Sequence, residues 1–228
     1  MAKIKNTEPK NKVEVKLSDK ISNFFVNYRK QLAIIGSIIL VVLLVLIIFV
    51  NSSNKREEDL QVQIAQKQDE IGVLFQDSEF TPKEVADMIT SLEELASSGK
   101  KSYSGTKALY LLGLTEFNAG DYENAYDYFM KCYENDKNIY LSPIALFNAG
   151  AMKENLDDQQ AALDLYKQVW DEFSNDSPVS IKSLFSTARL YETYLKDIPL
   201  AKTTYQQIVD QFSTSEYAKL ALNRISEL

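Results

Sequence analysis

The residue types that most often carry out catalysis are scarce in this sequence. It has no histidine among its 228 residues, and its one cysteine is Cys132. Without imidazole there is no His-based catalytic triad, and one thiol makes neither a disulfide nor a four-cysteine metal site. The adjacent carboxylates at Glu93–Glu94, Asp157–Asp158 and Asp171–Glu172 are typical of solvated helix faces and turns, and no glycine-rich phosphate loop accompanies them. The sequence therefore predicts no enzymatic activity, no cofactor and no bound metal.

The charge of the chain is unevenly distributed along its length. The net charge is −7, but residues 1–30 carry +5, residues 32–50 carry no charge, and the remainder carries −12. A nucleic-acid-binding surface needs clustered basic residues to neutralise phosphates. The acidic balance of the long C-terminal part therefore argues against a nucleic-acid partner.

The uncharged segment from Leu32 to Val50 reads LAIIGSIILVVLLVLIIFV. As a helix, 19 residues at ~1.5 Å each span about 28 Å, close to the thickness of the hydrocarbon core of a bilayer. The run is longer than the apolar region of a cleaved signal peptide, and no Ala-x-Ala cleavage site follows it. We expect residues 31–50 to form an uncleaved transmembrane signal anchor that contacts the lipid bilayer.

The basic residues that flank this segment predict its orientation. Lys16, Lys20, Arg29 and Lys30 precede it, whereas only the Lys55–Arg56 pair follows closely. Because lysine and arginine are retained in the cytoplasm, residues 1–30 are predicted to be a cytoplasmic tail and the acidic part to be exported.

Residues after this anchor contain an internal repeat. The segment YKQVWDEFS, which begins at Tyr166, matches YQQIVDQFS, which begins at Tyr205, at a shift of 39 residues, and AYDYFMK from Ala125 occupies the same place one repeat earlier. Each segment is amphipathic with a helical period and follows another helical segment and a turn with an aspartate, a suitable N-cap. A helix–turn–helix unit that recurs in this way predicts a stacked solenoid.

These units resemble the tetratricopeptide repeat family. The first unit carries the family's signature residues most completely, the second more weakly, and in the third Arg189 replaces a small residue. The matching positions of the first unit are Leu109, Leu112, Gly113, Gly120, Asp121, Tyr122, Ala125 and Phe129. The resemblance implies an all-α protein in which residues 105–228 form repeats and a C-terminal capping helix, whereas residues 51–104 form a helical stalk or a degenerate first repeat.

A solenoid of this kind presents a concave groove that is lined by the first helix of each pair. Aromatic, aliphatic and amide groups in such a groove suit an unfolded or extended polypeptide. The alternative is that the aromatic residues only pack between repeats. The repeat register assigns ten residues to the groove: Tyr110, Leu114, Phe117, Asn118, Phe147, Ala151, Asn155, Ser186, Leu190 and Tyr194.

The order of basic tail, single anchor and repeat domain resembles the bacterial ancillary subunit family of the SecYEG translocon. This resemblance implies a bacterial inner-membrane protein with a periplasmic repeat domain that assists export or folding of translocated proteins. Its implied partners are the translocon, unfolded client polypeptides and a membrane-anchored chaperone. Two alternatives stay open: a scaffold subunit of a cell-envelope assembly complex, and an organelle import receptor with a cytosolic domain.

Overall fold

The computed structural model describes residues 11–76, 80–174 and 178–228, without the side chains of residues 11–16 and 18. Within these ranges the protein consists of nine helices and no strands, which confirms the all-α prediction. Residues 1–10 of the predicted basic tail lie outside the described residues. The helices are α1 (Asn11–Leu74), α2 (Pro82–Ser98), α3 (Tyr103–Ala119), α4 (Tyr122–Asn135), α5 (Leu141–Asn155), α6 (Gln159–Phe173), α7 (Pro178–Thr193), α8 (Ile198–Gln211) and α9 (Glu216–Glu227).

The chain divides into two compact units, the first ending at Arg56 and the second running from Glu57 to Leu228. The first unit contains most of α1, and its apolar part is exposed. The stretch of α1 from Asp19 to Leu74 includes an 18-residue window with a mean hydropathy of 3.5, none of it buried. By length and composition, one helix of the described chain is therefore able to cross a membrane or to serve as a signal sequence.

The same turn connects the two helices of each repeat. A residue in the left-handed conformation comes first, namely Gly120 (φ 85°), Asp157 (φ 58°) or Lys196 (φ 56°). An aspartate N-cap comes next, and its side chain accepts a hydrogen bond from the third residue after it. The predicted aspartate caps are thus confirmed at the starts of α4, α6 and α8, where they satisfy amides that lack a helical partner.

Close approach of the paired helices depends on two glycines. A Cβ atom at Gly113 would lie 2.7 Å from Cδ1 of Phe129, and one at Gly150 would lie 2.8 Å from Cε1 of Tyr166. In the third pair, Arg189 stands at the glycine position, and the ring of Tyr205 lies 5.3 Å from that of Phe185. The first two pairs therefore press an aromatic ring onto a glycine, which the third pair lacks, and in all three pairs that ring also packs against an aromatic residue of the first helix.

The last turns of α1 belong to the hydrophobic core of the second unit. Leu60, Ile64 and Ile71 are buried in one cluster with residues of α2 and α3, including Leu92 and Leu112. The carboxylate of Glu57 also accepts hydrogen bonds from the backbone amide of Ser104 (2.9 Å) and from its hydroxyl (2.6 Å). The predicted boundaries at residues 30, 50 and 104 stay predictions.

The helices stack with a consistent asymmetry. Each helix from α2 onward contacts the next one along the chain, and α3 also contacts α5, α5 contacts α7, and α7 contacts α9. Within the described residues, the backbones of α4 and α6, and those of α6 and α8, do not approach one another in this way, and α4 and α6 meet only through side chains such as Tyr133 and Glu172. The odd-numbered helices are therefore the inner layer of the solenoid and the even-numbered helices the outer layer.

Candidate peptide-binding surface

We use "inner surface" for the side of α3, α5 and α7 that carries the ten residues predicted to line the groove. Seven of these residues present at least part of their side chain to solvent. Phe117 is 40% exposed and Tyr194 is 44% exposed. Asn118 and Asn155 are also exposed, whereas Tyr110, Leu114 and Ala151 are half-buried.

The other three predicted residues are buried in the described structure. Phe147 is 6% exposed, and its ring lies 5.0 Å from that of Tyr166 within the core between α5 and α6. Leu190 belongs to the same core cluster, and Ser186 is buried on α7. These three side chains pack between helices and offer little surface to a ligand. The binding role of the ten residues stays a prediction.

Two tyrosines near the starts of α3 and α5 were missed by the sequence analysis. The hydroxyl groups of Tyr103 and Tyr140 lie 2.9 Å apart, and Tyr140 is 62% exposed. The two residues are 37 positions apart, which is the repeat spacing of the first two units. That spacing is the signal that could have identified them. They add an aromatic pair, with Tyr140 exposed and Tyr103 half-buried, to the residues available for stacking.

Polar groups hold several of these aromatic side chains in place. The side-chain amide of Asn148 donates a hydrogen bond to the hydroxyl of Tyr110 at 3.3 Å. The ammonium group of Lys182 lies 4.4 Å from the centroid of the Phe147 ring, a cation–π distance. Burial, the hydrogen bond to Tyr140 and the charge of Tyr140 raise the pKa of Tyr103 to about 12. Burial likewise raises the pKa of Tyr110, so both phenols stay protonated and able to donate hydrogen bonds at neutral pH.

The inner and outer layers differ in charge. Helices α3, α5 and α7 together contain four basic and three acidic residues, whereas α4, α6 and α8 contain three basic and seven acidic residues. The inner layer is nearly neutral and rich in aromatic and amide groups. This composition suits stacking and backbone hydrogen bonds to a polypeptide more than recognition of a highly charged ligand.

The described residues provide little for covalent or metal chemistry. Cys132 is buried, and burial raises the pKa of its thiol to about 12, so it stays a protonated thiol at neutral pH. No group of three potential metal-ligating side chains occurs within the described parts of the chain.

Comparisons with known proteins identify the repeats. A family model described as tetratricopeptide repeat matches residues 107–138, 144–176 and 182–215. A solved structure of nearly identical TPR-like repeats from Podosopora anserina is similar to this chain, with a TM-score of 0.55 and 13% identity over 75% of this chain and 85% of that chain. A tetratricopeptide repeat protein from Parabacteroides merdae is similar with a TM-score of 0.53 and 17% identity over 73% of this chain and 57% of that chain. No curated protein sequence matches the chain.

The fold therefore defines the class of this protein as an α-solenoid of helix pairs. More particularly, residues 107–215 form three tetratricopeptide repeats, including the third unit in which Arg189 departs from the family pattern. This kind of repeat indicates a module for protein–protein interaction and is typically a non-catalytic scaffold. At these identities the solved structures support the fold alone.

Proposed function

We propose that this protein is a single-pass protein of the bacterial inner membrane that assists polypeptides leaving a SecYEG-type translocon. Residues 31–50 anchor it beside the channel, the basic tail stays in the cytoplasm, and the repeats lie in the periplasm. The inner surface binds unfolded or extended segments of the client. The observation that carries this proposal is the nearly neutral inner layer with exposed Phe117, Tyr140 and Tyr194.

The anchor and the inner surface act together in this proposal. Tethering near the channel exit raises the effective concentration of the repeats, so weak binding of each client segment is sufficient. Aromatic rings stack on many side chains, and tyrosine hydroxyl and asparagine amide groups bond to exposed backbone. Weak binding also lets the client leave without nucleotide hydrolysis, and the sequence contains no phosphate-binding loop.

The proposed topology is tested by protease treatment of intact spheroplasts. We expect protease added outside to digest the domain after Asn51 and to spare the basic tail. A domain that is protected until the membrane is permeabilised would place the repeats in the cytoplasm and would overturn the proposed location. That result would favour the import-receptor alternative.

The proposed binding is tested with a photo-crosslinking amino acid at Phe117 or Tyr194, both exposed on the inner surface. A matched control carries the same amino acid at Gln160, which is exposed on the outer helix α6. We expect the inner positions, and not Gln160, to capture translocating polypeptides. A crosslinker within residues 32–50 should capture a channel subunit. Replacing Phe117 with serine should reduce client capture by the crosslinker at Tyr194 and leave the channel crosslink unchanged.

A scaffold subunit of an envelope assembly complex is the second candidate function. It is favoured by the burial of Phe147, Ser186 and Leu190, which reduces the surface left for an extended peptide. Under this alternative, the crosslinkers at Phe117 and Tyr194 would label one folded partner in stoichiometric amount. Capture of many unrelated unfolded chains would exclude it.

A further inference from the structure

The helix pair at the start of the solenoid leaves a groove on its surface. Residues 67–74 of α1 and the first turns of α2 line a groove of about 770 Å³. Its apolar lining consists of Val73, Leu74 and Met88, and Val73 is 71% exposed. Every later pair of the solenoid packs against a pair before it and a helix after it. We use "end groove" for this feature.

The rim of the end groove is acidic. Four carboxylates line it, from Asp69 and Glu70 on α1 and from Glu84 and Asp87 on α2. The one basic residue among the lining residues is Lys67, whose ammonium group lies 2.6 Å from Glu70. The lining residues therefore carry a net charge of −3, and their single cation is already paired.

Two of these carboxylates also make bonds within α2. Glu84 accepts hydrogen bonds from the backbone amide and the hydroxyl of Thr81, which completes a capping box at the start of the helix. Asp87 lies 2.6 Å from the ammonium group of Lys83 on the exposed face. These bonds hold the carboxylates in position at the rim and leave their remaining lone pairs available to a ligand.

We propose that the end groove binds a basic amphipathic helix of a partner protein, independently of any role at a translocon. The apolar face of that helix packs on Val73, Leu74 and Met88, and its lysine or arginine side chains bond to Asp69, Glu84 and Asp87. A groove between two helices has the shape that receives a third helix. The charge of the rim selects a cationic helix over an acidic one. The partner thereby extends the solenoid by one helix.

The proposal is tested with the full chain in nanodiscs of phosphatidylcholine. The probe is a fluorescein-labelled 14-residue amphipathic helix of leucine and lysine, and the control probe has glutamate in place of lysine. We expect the lysine probe to bind nanodiscs that contain the protein more tightly than it binds empty nanodiscs. Its affinity should fall when the salt concentration is raised from 0.05 to 0.5 M, because salt screens charge pairs. Equal binding of the glutamate probe would overturn the proposal.

A pair of charge-reversed variants tests whether binding depends on the carboxylates of the end groove or only on the net negative charge of the protein. Asp69→Lys with Asp87→Lys should weaken binding at least tenfold. Asp164→Lys with Asp171→Lys, which makes the same charge change on the exposed surface of α6, should leave binding within twofold. Circular dichroism checks that each variant is folded, and Asp69→Asn alone provides a milder variant. Equal loss in both double variants would overturn the proposal.

A photo-crosslinking amino acid at Val73 gives a second readout. Val62 is the matched control because it is exposed on the same helix but does not line the end groove. We expect the residue at position 73, and not the one at position 62, to crosslink to the lysine probe. If position 73 instead crosslinks to a second copy of this chain, and does so even with excess probe present, the groove is a site of self-association.

Discussion

The carboxylate of Glu154 on α5 accepts two hydrogen bonds from the guanidinium group of Arg189 on α7, at 2.7 and 2.8 Å. The hydroxyl of Tyr166 on α6 donates a third at 2.6 Å. Three helices from two repeats therefore meet at one acidic side chain. Glu192 makes the same kind of contact with Tyr205 and Arg224 at the next interface. Arg189, which stands where the first two repeats have a glycine, therefore links the third repeat to the second.

Replacing Arg189 with alanine should destabilise the solenoid by about 1–2 kcal/mol, because Glu154 is mostly buried and loses two charge-assisted bonds. Lys83→Ala is the control, since the Lys83–Asp87 pair is exposed and such pairs contribute little. Denaturant unfolding, monitored by the fluorescence of Trp170, the only tryptophan, measures the free energy of unfolding of both variants. Equal effects of the two substitutions would contradict the proposed role of Arg189.

Gly113→Ala should lower the free energy of unfolding by about 1–3 kcal/mol, because the new methyl group meets the buried ring of Phe129 at 2.7 Å. Gly72→Ala on α1 is the matched control, since a Cβ there meets no atom within 4 Å. It should stabilise the helix by up to about 1 kcal/mol through helix propensity. Thermal unfolding followed by circular dichroism measures whether the two substitutions shift the unfolding midpoint in opposite directions.

Lys196→Gly should stabilise the protein by up to about 1 kcal/mol. Lys196 has a left-handed backbone (φ 56°) in the turn before α8, and this conformation is unfavourable for a residue with a Cβ atom. Gly120→Ala makes the reverse change in the equivalent turn before α4 and should destabilise by a similar amount. If both substitutions shift the unfolding midpoint in the same direction, the turns are not equivalent.

Glu57→Gln should reduce stability at pH 7 by about 1 kcal/mol, since a carboxylate at a helix N-terminus is replaced by a neutral amide. Partial burial alone would raise the pKa of Glu57, but hydrogen bonds from Ser104, Ser102 and Gln61 outweigh it and lower the pKa. A lowered pKa means that this stabilisation is present above about pH 4.5 and is lost as the pH falls through the folded-state pKa. Unfolding curves between pH 3 and pH 7 should therefore converge for the wild type and the variant at low pH. Glu58→Gln is the exposed control.

Residues 57–228 should fold without the preceding part of the chain. Their three hydrophobic clusters lie wholly within the second unit. The isolated fragment should be strongly helical and unfold cooperatively, as circular dichroism and Trp170 fluorescence would report. A fragment starting at residue 75 should be less stable, since it lacks Leu60, Ile64 and Ile71 from the first cluster. Similar midpoints for the two fragments would show that this part of α1 is dispensable.

Much of the fold was predictable from the sequence because it depends on short-range patterns. The aspartates at 121, 158 and 197 indicated helix starts through their own chemistry, and the spacing of Ala125, Ala162 and Ala201 indicated the stacking of the pairs. The link between Arg189 and Glu154 was not predictable, because 35 residues separate the partners and Arg189 does not fit the family pattern.

The candidate site was predictable only in part, for a related reason. The repeat register gives the face of a helix on which a residue lies, but exposure depends on which side chain of the next repeat covers it. Tyr110 and Phe147 occupy equivalent positions of α3 and α5, yet Phe147, which lies under the ammonium group of Lys182 from the next repeat, is buried, whereas Tyr110 is only half-buried. Coverage by a neighbouring repeat is a tertiary property that one sequence does not reveal.

The contacts among odd-numbered helices have a mechanical consequence. The backbones of α3, α5 and α7 approach one another directly, whereas α4 and α6 are joined through side chains: the hydroxyl of Tyr133 donates a hydrogen bond to Glu172 and accepts one from Gln168. Long side chains can rotate to follow a small displacement, but closely packed backbones lose contacts when they separate. We therefore expect bending of the solenoid to change the spacing of the outer helices more than the spacing of the inner helices.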